Sequence, residues 1–152
     1  TLGISLAGMF LALAAFSAPA GVMADKYGGA SIRLVSSLMC GAALAGLGLM
    51  AWLPPEVILV PCLLVYGAGA AGLMPSAFSA AVRHDASNLV FGSIQAAGQF
   101  GYASGVMGGG LLLSVVVLPA NLMVARMFPI AGGVFIVLNV LILIALRSIQ
   151  NR

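Results

Sequence analysis

Residues 2–29 read Leu2-Gly3-Ile4-Ser5-Leu6-Ala7-Gly8-Met9-Phe10-Leu11-Ala12-Leu13-Ala14-Ala15-Phe16-Ser17-Ala18-Pro19-Ala20-Gly21-Val22-Met23-Ala24-Asp25-Lys26-Tyr27-Gly28-Gly29. No charge interrupts Leu2 to Ala24, and then Asp25, Lys26 and two glycines arrive together. A bilayer core of about 30 Å needs about 20 mostly apolar residues in a helix, and this stretch supplies them before breaking at a polar turn. The rest of the chain repeats the pattern. Apolar segments run from about 32 to 53, 57 to 82, 92 to 118 and 129 to 146. They end at Pro54-Pro55-Glu56, at Arg83-His84-Asp85 and before Arg126 and Pro129. The runs are too long for barrel strands and do not alternate. The expectation is an all-α integral membrane protein with about five transmembrane helices, one partial bundle over residues 1–152.

Composition supports this. Of 152 residues 62% are hydrophobic and 6% charged, and the mean hydropathy is +1.20. Six Lys+Arg, three Asp+Glu and one His cannot coat a water-soluble surface, which normally carries about a quarter charged residues. The net charge of +3 would suggest nucleic acid in a soluble chain, but the basic residues are scattered singly and form no patch. They orient a bundle instead. Lys26, Arg33, Arg83, Arg147 and Arg152 fall at one end of the expected spans, and only Arg126 at the other. The positive-inside rule places the first and third connections and the C-terminus in the cytoplasm. A start at Thr1, inside an apolar stretch and facing outward, reads as a piece of a longer chain with a helix missing in front.

Small residues mark the contact faces. In the fourth segment Ala97, Gly101, Gly105 and Gly109 recur every fourth residue, the repeat of a tight helix contact. Gln95, Gln99 and Tyr102 occupy another face of the same helix, either lining something wet or bonding to neighbouring helices. The third segment, with Pro61, Gly67, Gly69, Gly72 and Pro75, is expected to kink or loosen beside a cavity. The fifth, rich in Val, Ile and Leu with Asn139 as its mid-span polar residue, reads as an outer helix facing lipid.

The stretch Gly21-Val22-Met23-Ala24-Asp25-Lys26-Tyr27-Gly28 resembles the G-x-x-x-D-[R/K]-x-G signature of the major facilitator superfamily, between the second and third helices of each six-helix half. Gly29-Ala30-Ser31 in place of paired basic residues, no arginine at Tyr66 to Gly69 and no proline beside Gly108-Gly109-Gly110 fit the C-terminal half, helices eight to twelve, better than helices two to six. The resemblance implies secondary transport of a small organic solute by alternating access, in a bacterial inner membrane, together with the remaining helices of the same transporter. It also implies that Gly21, Asp25, Lys26 and Gly28 form a gating motif, Asp25 meeting the helix start near Gly92. A helix N-terminus attracts an anion, so that pairing is physically sound. The plainer alternative is a solvated Asp25 beside Lys26 or Arg33.

Other chemistry is sparse. Cys40 and Cys62 lie mid-span without metal-ligand spacing, and His84 sits in a loop. No nucleophile–base pair, H-E-x-x-H or carboxylate cluster occurs, so neither an enzyme nor a cofactor or metal site is expected. No Asp or Glu lies inside a span, so a coupling carboxylate would belong to another part of a transporter. Tyr66, Gln95, Gln99 and Tyr102 are the candidates for a neutral, amphipathic substrate cavity. The partners expected are the lipid bilayer and a small-molecule substrate. The rival reading is a non-transporting scaffold or assembly factor built on a transporter fold.

Overall fold

The computed structural model describes residues 2–84, 92–101, 103, 107 and 120–150, nearly all of them helical. Helix α1 spans Leu2–Tyr27, α2 Gly29–Leu47, α3 Pro55–His84 and α4 Ala120–Gln150. Residues 92–101 are also helical. Four helices among the described residues are long and apolar enough to cross a membrane: Gly3–Tyr27, Gly29–Ala51, Pro55–Ser79 and Leu122–Ala145. We read the chain as an integral membrane protein.

The first three helices start and stop within a few residues of where charges, prolines and glycines place them. α2 ends earlier than its apolar run because Gly48–Ala51 tightens into a 3-10 turn. The last helix requires a correction. Pro129 was expected to open it, as proline commonly opens helices, yet α4 begins nine residues earlier and contains Pro129 in its interior. Proline leaves the carbonyl four residues back without its donor, here that of Ala125. That carbonyl and the Pro129 ring both face Gly48: a Cβ on Gly48 would lie 2.8 Å from the ring and 3.5 Å from the Ala125 oxygen. A neighbour without a side chain accommodates the interruption. The helix therefore passes through it.

Spatial order differs from chain order. α1 packs chiefly on α3, α3 also on α2, and α2 also on α4, while α1 and α2 touch comparatively little. Cross-helix neighbours give the directions. Gly8 lies by Leu64 and Gly21 by Pro75, so α1 and α3 run parallel. Gly29 lies by Ser76 and Gly46 by Cys62, so α2 runs against α3. Gly41 lies by Gly132 and Gly48 by Pro129, so α2 also runs against α4. Lys26, Arg33 and the positions of Arg83 and Arg147 consequently share one end of the bundle. Glu56 and Arg126 share the other.

The interior is built from small residues. Among the described residues Ala12, Ala24, Ala43, Ala71, Cys40 and four serines (Ser5, Ser36, Ser37 and Ser76) are buried, with Ile32 and Leu47 the two large apolar residues that join them, and the largest fully buried side chain is Cys40. Most large apolar side chains point outward instead: Leu11 is 72% exposed and Ile144 59%. In water such a surface would drive association, whereas lipid solvates it. Glycines permit the closest crossings. A Cβ on Gly67 would overlap the Met9 carbonyl oxygen, and one on Gly132 that of Gly41. The polar groups of the spans turn back on their own helices: Ser17 Oγ donates to Leu13 O at 2.6 Å, Ser37 Oγ to Arg33 O at 2.7 Å and Asn139 Nδ2 to Phe135 O at 2.9 Å. α4 is largely exposed, consistent with an outer helix, although it grips α2 at Gly132.

Candidate functional site

α1 closes with Lys26 in its last turn, where a cation favours the negative end of the helix dipole. The Lys26 ammonium also sits 5.1 Å from the centroid of the Tyr27 ring. One residue, Gly28, then reverses the chain into α2. Its φ of +90° is the only positive φ among the described residues. With ψ at 138° this lies outside the left-handed helical region, and an L-side chain there would be strained by roughly 1–3 kcal/mol. Gly29 follows immediately and lies so near α3 that a Cβ would come within 2.6 Å of the Ser76 carbonyl oxygen. Gly21, one turn before the charged pair, faces Pro75, with 3.9 Å between its would-be Cβ and the proline Cβ. The turn is thus seated on α3 at Pro75 and Ser76.

Asp25 and Lys26 themselves are exposed at this end. Asp25 makes no ion pair among the described residues. Gly92, the first described residue of the helical stretch 92–101, is also exposed, with nothing within 4 Å of a built Cβ. No contact joins the two among the described residues.

A second feature starts from the same proline. α1 and α3 enclose a groove of about 290 Å³, lined by Leu13 and Ser17 on one side and Ala70, Ala71, Met74, Pro75 and Phe78 on the other. It exists because Ala70 and Ala71 are too small to fill the space between two parallel helices. The stretch 92–101 touches its rim, since a Cβ on Gly98 would lie 2.5 Å from Met74 Cε. A smaller apolar groove of about 200 Å³ separates Ala30, Ser31 and Leu34 of α2 from Val140, Leu143 and Ile144 of α4.

Among the proposed cavity residues, Gln95 and Gln99 are both exposed on the stretch that touches Met74. Tyr66 is half-buried, and its carbonyl accepts a long hydrogen bond, 3.7 Å, from Cys40 Sγ across the α2–α3 seam. Tyr102 lies outside the described residues. Of the four-residue repeat, Ala97 and Gly101 are exposed, while Gly105 and Gly109 lie outside the described residues. Sequence reasoning passed over Ser17, Phe78 and the Ala71–Pro75 pair. A proline inside a helix, with two alanines one turn earlier, was the available signal. It also passed over Gly41 and Gly132, which stand among other small residues, Cys40, Ala42 and Ala43 in one case and Ala131 and Gly133 in the other.

No protein-family model, curated protein or solved structure matches this chain.

Proposed function

We propose that the chain forms part of a secondary transporter of the major facilitator type, carrying a small organic solute by alternating access, and that it represents helices eight to twelve. The observation that carries this reading is the Gly21–Gly29 turn. A motif resembling that family's signature lies where two antiparallel membrane-length helices are joined by a single glycine at φ +90°, its neighbour seated on a third helix. The ends of α3 and α4 add to it. His84 ends α3 at the basic end of the bundle and Ala120 opens α4 at the other, so an odd number of crossings separates them. This suits a fifth span between them. The basic end faces the cytoplasm by the positive-inside rule, which puts the C-terminus there, in a bacterial inner membrane.

In this reading α1, α3 and α2 form one block, keyed by backbone contacts that leave no side chain to compress. The exposed face bearing Gln95 and Gln99 borders the solute path, with the α1–α3 groove beside it. Asp25, free of an ion pair among the described residues, is available to the start of a facing helix when the cytoplasmic side closes, and is released when it opens. Solute counterflow in membrane vesicles, over a panel of neutral and amphipathic compounds, tests the carrier. Asp25→Asn should slow it while leaving insertion intact, and a wild-type rate in that variant removes the gate.

The scaffold reading draws on one observation, a core of small residues locked by backbone contact. Gln99→Leu separates the two. Loss of counterflow supports the carrier, whereas absence of any solute movement with normal partner assembly supports the scaffold.

A further inference from the structure

α2 and α4 are pinned together where a Cβ on Gly132 would overlap the Gly41 carbonyl oxygen. From Gly41 to Ala30 is about 16 Å along α2, towards the basic end of the bundle. There Ala30 and Ser31 are too small to close the space to α4, and a groove of about 200 Å³ is left against Val140, Leu143 and Ile144. It lies in the final turns of both spans, at the level where acyl chains give way to headgroups. Ala30, Ser31, Leu34 and Ile144 are exposed, so the groove is reachable from the side. Its mouth is cationic. Arg33 adjoins Leu34 in α2 and is half-buried, and Arg147 follows Leu143 by one turn on the same face of α4. Asp25 is the one described acid at this end, and neither it nor Arg33 makes an ion pair among the described residues. The Ser31 hydroxyl, in the groove wall, is likewise without a hydrogen bond among them.

Apolar walls below, with a free hydroxyl and unpaired positive charge above, match the parts of one class of molecule. We propose that the α2–α4 groove binds an anionic phospholipid of the adjoining leaflet. The upper part of one acyl chain lies along Leu34, Leu143 and Ile144, and the phosphate accepts a hydrogen bond from Ser31 Oγ within reach of the charge carried at positions 33 and 147. A half-buried guanidinium gives up water that a phosphate oxygen replaces with charge-assisted hydrogen bonds. Basic residues between spans at the cytoplasmic side recruit anionic headgroups, each cation adding about fivefold in affinity. The groove is smaller than pockets that enclose a small solute, which suits a strip of acyl chain and not a whole ligand. A zwitterionic lipid brings its own ammonium to a cationic mouth and gains little there. A second copy of this chain, related by a two-fold axis along the membrane normal, would set like charges against each other. The inference is independent of whether the chain carries a solute.

The test uses the full chain in phosphatidylcholine nanodiscs doped with phosphatidylglycerol that carries a diazirine high on one acyl chain. Irradiation and peptide mapping read where that chain lies, and phosphatidylcholine bearing the same diazirine is the control. Phosphatidylglycerol is expected to label Leu34, Leu143 and Ile144 in preference to Leu141 and Ile142, which are exposed at the same depth on other faces of α4. In the groove it should exceed the control by about tenfold, between the effects of one cation and two. Arg33→Gln and Arg147→Gln should each lower groove labelling about fivefold and leave Ile142 labelled as before. Ala30→Leu fills the groove with both arginines kept, and should move the label off Leu143. Equal labelling of the groove by the two lipids overturns the anionic assignment, as does a preference unchanged in both arginine variants. Label spread evenly over Leu141, Ile142 and Ile144 overturns the site and leaves ordinary annular contact. A groove labelled by neither lipid overturns the proposal and assigns that face to protein. Since no readout involves solute movement, loss of the carrier reading in counterflow leaves the lipid site standing, and loss of the lipid site leaves the carrier standing.

Discussion

Gly132 and Gly133 are consecutive residues of α4, and replacing each by alanine should move stability in opposite directions. A Cβ on Gly132 would overlap the Gly41 carbonyl oxygen and lie 2.9 Å from the Ala45 nitrogen. Both partners are backbone atoms of α2, so no rotamer change relieves the clash, and α4 must withdraw by about 1 Å. A gap of that size forfeits a quarter to a half of the dispersion energy at each contact along the seam. Overpacking of this kind costs about 1–3 kcal/mol. Removing a glycine from a helix interior returns about 0.5–1 kcal/mol. The net is a loss of about 0–2.5 kcal/mol, centred near 1, for Gly132→Ala. Gly133 faces open space, with nothing within 4 Å of its would-be Cβ, so Gly133→Ala keeps only the gain of about 0.5–1 kcal/mol. At about 2–4 °C per kcal/mol the two variants should melt several degrees apart, on either side of the parent. Thermal unfolding in detergent, followed by a thiol-reactive fluorophore as buried Cys40 becomes accessible, measures this. Equal melting temperatures for the two variants would refute the crossing at Gly41 and Gly132.

Gly28→Ala forces a side chain into φ +90°, ψ 138°, far from the left-handed helical region, and should destabilise by about 1–3 kcal/mol, with Gly28→Asn giving no relief; detergent melting curves read both. Cysteines introduced at Lys26 and Arg126 should react with a membrane-impermeant maleimide from opposite faces of sealed vesicles. Reaction of both from one face would contradict the antiparallel arrangement of α2 and α4. Cys62, half-exposed, should alkylate with a permeant reagent in the folded protein well before the fully buried Cys40. Equal rates would mean that the α2–α3 seam is open.

Charge-free length carried most of the fold. Leu2 to Ala24, ended by Asp25-Lys26, could only be a buried or bilayer-crossing helix, and the single charges at the ends aligned the rest. Pro129 misled because proline weighs as a helix start by local rules, whereas its tolerance here depends on Gly48, some 80 residues away in the chain. The packing faces were hidden for a related reason. A glycine is legible as small, but whether it meets a carbonyl depends on its partner. Gly132 and Gly133 are indistinguishable in sequence and opposite in space. At the candidate site, the turn at Gly28 was legible from its motif. The groove was not, since it arises from Ala70 and Ala71 facing Ser17 on a helix that is not adjacent in the chain.

The order α1–α3–α2–α4 bears on how the protein is made. α1 and α2 emerge from the ribosome joined by one glycine, yet their broad faces are destined for α3, which has not been synthesised. They must wait as an open fork, with the serines, alanines and glycines of their inner faces turned to lipid, until α3 slides between the prongs. Assembly of these helices in the bilayer therefore trails synthesis by one helix, since α1 and α2 have little reason to stay together without α3.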